Sequence, residues 1–236
     1  LKFTETRLLP HDKRTYSEEY FAARNPGLGA VLVMLGVKGI LPQLEHHNLL
    51  FSADWSDDFG AVFHGPVSSR PNHASQSIYI SKPSKTDPTT APEGHENLFI
   101  LIPTPAATEL GHGDAYHLQS SPAVDTIANA AIEQVAAWCG IPNLSERIVV
   151  RRTLGPADFK ERYHAWAGGA IGPAHTLQQS AFLRGRNASR KVKNLFYAGA
   201  TTVPGVGVPM CLISAENVIK RLRGDRSPGP LSVRDW

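Results

Sequence analysis

The sequence predicts a mixed α/β fold, of the α+β kind, built around an antiparallel sheet. Three observations predict it. Short apolar or alternating runs are bounded by Pro- and Gly-bearing turns, one long segment places its apolar residues at helical spacing, and a strand–glycine loop–helix succession stands near the C-terminus. Composition agrees with a packed globular chain. Of 236 residues, 42% are hydrophobic and 19% charged, the net charge is +3, and there are 20 Gly, 18 Pro and 2 Cys. These values exclude a disordered tail, a collagen-like rod and a disulfide miniprotein. The length allows one or two domains.

Leu1 to Arg24 is mixed and charged, and Asn25-Pro26-Gly27 is a turn. Ala30 to Gly36 reads as a buried strand. His46 and His47 are neighbours, and adjacent strand residues point to opposite faces, so they are not expected to share a metal. Ser77 to Ser81 alternates and reads as a half-buried strand. Asp87-Pro88 and Pro92-Glu93-Gly94 punctuate a loop before Asn97 to Ile102, a second strand expected to end at Pro103 and Pro105. Two strands joined by such a loop suggest antiparallel pairing. His112 and His117 are expected on an exposed loop.

The clearest helix is Pro122 to Cys139. Ser121 suits the N-cap, Pro122 the first turn and Gly140 the stop. Val124, Ile127, Ala131, Ile132, Val135 and Trp138 form its buried face. Arg147 to Arg151 reads as a strand, and Ala157 to Ala167 as a helix closed by Gly168-Gly169. Cys139 and Cys211 lie in apolar helical patterns and are expected as reduced, packed thiols. The longest apolar run, Ala30 to Val37, stops at Lys38, far short of a membrane span of about 20 residues. No secretory leader is recognised, so a cytoplasmic chain is expected. Leu1 opens it without Met, which suggests a truncated or processed N-terminus.

The C-terminal part carries the chemistry. Lys193 to Gly199 reads as a strand, Ala200 to Pro204 follows, and Gly205-Val206-Gly207 leads into a helix over Val208 to Leu222, with Pro209 in its first turn. Glycines lack Cβ and let the backbone approach a ligand closely. The free N–H groups of a helix start favour negative charge. Such a site suits a phosphate or the electron-rich carbonyl edge of a flavin ring. Arg184, Arg186, Arg190, Lys191 and Lys193 form a basic stretch without an acid, and Lys220, Arg221, Arg223 and Arg226 add to it. Aromatic residues are poorly interleaved there, so no nucleic-acid partner is expected.

The segment Asn194 to Met210 resembles the C-terminal flavin signature of bacterial and fungal phytoene desaturases. Three further segments resemble that family in the same order. They are Val31 to Gly39; Asp87 to Gly94 with Leu98 to Pro103; and Leu177 to Phe182 with Arg184 and Asn187. The resemblance implies an FAD-dependent enzyme that removes hydrogen from phytoene or a related C40 isoprenoid in carotenoid biosynthesis. It implies an FAD-binding doubly wound fold with an inserted antiparallel-sheet substrate domain. The family's N-terminal GxGxxG unit is not found, so the likeness is to the C-terminal half alone. Residues 1–185 would then be mostly substrate domain, 186–223 the return to the FAD domain, and 224–236 a flexible tail. A fragment of this kind is expected to be inactive alone. Gly199 and Ala200 would approach the ribityl and pyrophosphate region of FAD. Gly205, Val206, Gly207, Val208, Pro209 and Met210 would lie against its ring system. No metal is implied, and no catalytic residue is nominated, although His175 and Glu216 have suitable chemistry.

This sequence departs from its relatives at several points. Ala200 follows Gly199, where related amine oxidases carry an acid. Phe182 stands where some members have Trp, Gly185-Arg186 where some have Pro-His, and Pro173-Ala174-His175 where some have a glutamate. A carotenoid isomerase or oxidase would share the motifs, and so would a non-catalytic fragment that binds isoprenoid. A hydrocarbon substrate dissolved in the bilayer implies peripheral contact with a membrane lipid surface, helped by the basic stretch.

Overall fold

A computed structural model describes residues 1–63 and 74–232. The chain divides into two compact units. A terminal unit joins Leu1–Gly27 to Ile171–Trp236, and a sheet unit comprises Leu28–Ala170. The sequence places its boundary near 185. The compact units meet the chain at 27/28 and 170/171, because the first 27 residues pack with the C-terminal segment.

Among the described residues the sheet unit holds five strands: β1 (Leu28–Lys38), β2 (His47–Leu50), β3 (Ile78–Ser81), β4 (His95–Pro105) and β5 (Ile148–Leu154). Their order is β2-β3-β4-β1-β5, and each neighbouring pair is antiparallel. The register sets Val31 opposite Ile102, Val33 opposite Ile100 and Leu35 opposite Leu98, so alternation drives one set of side chains into the core. With Ile78 and Ile80 they pack against Val124, Ile127, Ala131, Ile132 and Val135 of the helix Pro122–Trp138. The other face is apolar as well. Tyr79, Leu32, Met34, Phe99 and Leu101 point that way and are only half-buried.

Several local expectations are corrected. β4 runs through Pro103 to Pro105, since Ala30 and Leu28 pair opposite both prolines near the end of the ladder. Ser121 precedes the helix but does not cap it with its side chain. Its Oγ accepts the His112 N–H at 3.1 Å instead. Trp138 leaves the buried stripe and is 48% exposed at the last turn. The next helix spans Pro156–Tyr163 and ends at His164, whose φ is 51°. Its start is held by Asp158, which accepts Gly155 N–H at 2.8 Å and Gly113 N–H at 2.7 Å. His46 precedes β2, so strand alternation does not separate it from His47, and the two rings lie 4.3 Å apart. His112 and His117 are half-buried, with ring centroids 3.9 Å apart. Cys139 is free and partly buried, and burial pushes its thiol up.

In the terminal unit, Lys193 to Gly199 is not a strand. Its backbone makes an isolated antiparallel bridge from Phe196 to Ala188, and Thr202 bridges Gly185 in parallel. A strand needs a neighbour along its length, and among the described residues the pairing here is limited to single bridges. The following helix, Val208–Arg223, is as expected. Gly207 stands at its N-cap, and Gly224 closes it in the left-handed region with φ 70°.

Candidate functional site

The glycine-bearing segment is built from a buried polar centre outward. Asn187, Thr202 and Ser214 are each at most 4% exposed. The Thr202 hydroxyl donates to the Gly199 carbonyl at 2.9 Å. It therefore accepts from the Ser214 hydroxyl, 2.8 Å away. Ser214 Oγ in turn accepts the Gly199 N–H at 3.0 Å. Asn187 Nδ2 lies within 3.0–3.3 Å of four oxygens, those of Tyr197 O, Val203 O, Thr202 Oγ1 and Ser214 Oγ. One amide thus ties both ends of the Gly199–Val203 turn to the helix that follows.

A second anchor is Arg184, which is 4% exposed. Its Nε donates to Ala200 O at 2.8 Å and its Nη1 to Gln179 O at 3.0 Å. Its Nη2 is buried without a hydrogen-bond partner. Gln179 pairs through its own amide with both backbone groups of Asn25. Burial lowers the Arg184 pKa from its usual value. A guanidinium remains charged at neutral pH all the same.

The third anchor comes from the first residues of the chain, which sequence reading left unassigned. Glu5 is fully buried and accepts the Tyr197 hydroxyl at 2.7 Å and the Thr15 N–H at 2.6 Å. Tyr16 Oη accepts the Arg186 N–H at 2.9 Å. Burial, with the bond to Glu5 next, pushes the Tyr197 phenol well above its usual value. A raised folded-state pKa means that this share of stability is present below about pH 10, the unfolded value, and is lost as pH rises beyond it. Thermal midpoints of the full-length protein should therefore fall above about pH 10. Tyr197→Phe should flatten that fall. Equal alkaline slopes in parent and variant would overturn the assignment.

The anchored segment presents Gly199, Ala200, Gly205, Val206, Gly207, Val208, Pro209 and Met210 along one continuous stretch. Gly199 has φ 104° and Gly207 φ 98°, and a Cβ on Gly199 would meet open space. These two glycines are required by backbone conformation. Gly205 is buried and Met210 half-buried, whereas Gly207, Val208 and Pro209 are exposed, Val208 at 75%. The helix begins here with Cys211 N–H bonded to Gly207 O. The earlier N–H groups have no intrahelical partner, and Pro209 has none to offer. No acid or base lies between Gly199 and Met210.

Of the two candidates of suitable chemistry, the structure separates their positions. His175 stands beside the loop, with Nε2 3.7 Å from where a Cβ on Gly205 would be. Glu216 accepts the Leu231 N–H and so holds the C-terminal segment. The two basic stretches also come together. Arg186, Lys220, Arg221 and Arg226 line one cleft with Phe182 and Phe196. Among the described residues no three His, Cys, Asp or Glu side chains could hold a metal. No helix among them is long and apolar enough to cross a membrane.

The geometry is that of a glycine turn and helix start able to receive an electron-rich group, in a chain whose other unit carries an apolar sheet face. No family model matches the chain. Over 221 residues it is 38% identical to the carotenoid 3,4-desaturase of Haloarcula japonica, a match covering 94% of this chain and 42% of that protein. Over 217 residues it is 31% identical to the 4,4'-diapophytoene desaturase (4,4'-diaponeurosporene-forming) of Staphylococcus aureus, covering 92% of this chain and 42% of that protein. The chain is a homologue of the carotenoid desaturases. It spans about two-fifths of the length of these relatives.

Proposed function

We propose that the protein to which this chain belongs is a flavin-dependent carotenoid desaturase acting on phytoene or a related acyclic isoprenoid. The observation that carries the reading is the Gly199–Met210 loop. It is anchored from beneath by Asn187 and Arg184 and open on its outer side. FAD would supply the acceptor for the hydrogen removed, a capacity that side chains lack. The residues present fit it. The helix start offers N–H groups to a negatively polarised edge. The orphaned Arg184 Nη2 adds a buried positive end beside Ala200 and Gly172. Gly199 and Ala200 would lie toward the ribityl and pyrophosphate part, and Gly205 to Met210 toward the ring.

The half-buried apolar face of the sheet unit, with Leu32, Met34, Phe99 and Leu101, supports its role as the wall of an isoprenoid site. Such a wall gains about 25 cal/mol per Å² of apolar surface removed from water. A bilayer-dissolved substrate also favours a peripheral position on the cytoplasmic side of a membrane, with the clustered cations of the terminal unit toward anionic lipid.

The test uses the full-length protein with FAD and with phytoene in lipid vesicles. Bound flavin and new conjugated-polyene bands in the extracted pigment are expected. Gly207→Val should reduce flavin retention at least about tenfold, because a β-branched residue at φ 98° is strained. Flavin bound with phytoene unchanged would move the reading to a carotenoid isomerase or oxidase. No flavin at all would leave a non-catalytic isoprenoid-binding protein.

A further inference from the structure

We infer that His175 is the catalytic base, the group that takes the proton when the double bond forms. The inference rests on the desaturase reading and deepens it. Introducing one double bond removes two hydrogens from adjacent saturated carbons. One leaves with its bonding pair as hydride to the oxidant, the bound flavin. The other leaves as a proton, and its bonding pair becomes the π bond. The flavin accounts for the hydride and both electrons, so the protein must provide a place for the proton.

Few groups near the glycine loop can accept one. The loop itself contains none from Gly199 to Met210. Arg184 is a cation bonded to Gln179 O and Ala200 O, and it has no acceptor. Cys211, in the first turn of the helix, is only a weak acceptor as a thiol. Glu216 is turned to the Leu231 N–H.

His175 differs from all of these. Its Nε2 lies 3.7 Å from the Cβ position of Gly205, so the ring borders the loop. The residue is exposed, and it makes no hydrogen bond or ion pair among the described residues. A neutral imidazole has one unprotonated nitrogen, which can accept a proton. The segment that follows it exposes large apolar side chains. Leu177 is 86% exposed and Phe182 83%, surfaces that match a hydrocarbon better than water. The imidazole can pass its proton on to solvent from its exposed side.

The experiment compares the full-length parent with His175→Gln, both loaded with FAD. Flavin retention, read from visible absorbance, should be unchanged. The turnover number should fall about a hundredfold, the usual worth of a positioned base. A second readout needs no turnover. Diethyl pyrocarbonate should label His175 in the flavin-loaded parent, and the saturated hydrocarbon squalane should suppress that labelling at least about fivefold, as mass spectrometry would show. Full turnover in the variant, or labelling indifferent to squalane, would overturn the assignment while leaving the desaturase reading intact. A parent that binds no flavin would sink both.

Discussion

Asn187→Leu should loosen the Gly199–Val203 turn. The leucine is of similar size, so the loss is of hydrogen bonds and not of volume. Two N–H groups disappear from a centre where Tyr197 O, Val203 O, Thr202 Oγ1 and Ser214 Oγ all lie within 3.3 Å of Asn187 Nδ2. Buried acceptors left without donors cost about 1–3 kcal/mol each, and neighbours in one network do not add fully. A loss of about 3 kcal/mol is expected for the whole substitution. Amide exchange at Gly199, Thr202 and Val203 in the full-length protein should then accelerate roughly a hundredfold, since about 1.4 kcal/mol is tenfold. Asn187→Asp should be no better, because an ionised carboxylate only accepts. Unchanged exchange at these three amides would show that the turn is held by something else.

Lys82→Met should destabilise the sheet unit by about 3–5 kcal/mol, the usual cost of leaving one member of a buried ion pair alone. Lys82 is 1% exposed and Glu96 6%. Lys82 Nζ donates to Leu41 O at 2.6 Å and stands 3.5 Å from Glu96 Oε1. Glu96 also accepts Leu41 N–H at 3.4 Å and the Ser84 hydroxyl. Burial alone would raise the Glu96 carboxyl. The Ser84 hydroxyl, the Leu41 N–H and Lys82 together outweigh it and hold the group below its usual range. A depressed pKa contributes stability above the unfolded value of about 4.3, and that contribution is lost as pH falls through the folded value. Removing Lys82 lets the carboxyl rise, so acid unfolding should begin at higher pH in Lys82→Met. Adding Glu96→Leu should recover part of the loss at pH 7, because a buried pair and its apolar replacement are often close in free energy. Urea unfolding followed by circular dichroism at pH 7 and on acidification separates these outcomes. A single variant as stable as the parent at both would refute the pairing.

How much was legible follows from the range of the interactions. β1, β3 and β4 and the helices Pro122–Trp138 and Val208–Arg223 were readable because period and punctuation are local. Even so, boundaries moved where a neighbour intervened, as at Pro103 and Pro105 opposite Ala30 and Leu28. The loop residues Gly199 to Met210 were found through family resemblance. The residues that hold them were not assigned to that task. Asn187 and Arg184 appeared only as members of a resembling segment, and Ser214 carried no signal of its own.

The sequence by itself determined the class of the longest strands, β1 and β4, and of the longest helices, Pro122–Trp138 and Val208–Arg223, together with the antiparallel character of the sheet and the kinship with carotenoid desaturases. Alternation, helical spacing and a run of glycines are properties of a few neighbouring residues. Only the tertiary structure decided which polar groups meet. Glu5 reaches Tyr197 across 192 positions, Gln179 reaches Asn25 across 154, and Asn187 reaches Ser214 across 27. It also decided that His46 and His47 share a side, that Trp138 leaves the core, and that Lys193 to Gly199 is a bridged segment and not a strand. In each case the physical reason is the same. A buried donor, acceptor or strand edge is settled by the partner that reaches it, and that partner lies elsewhere in the chain.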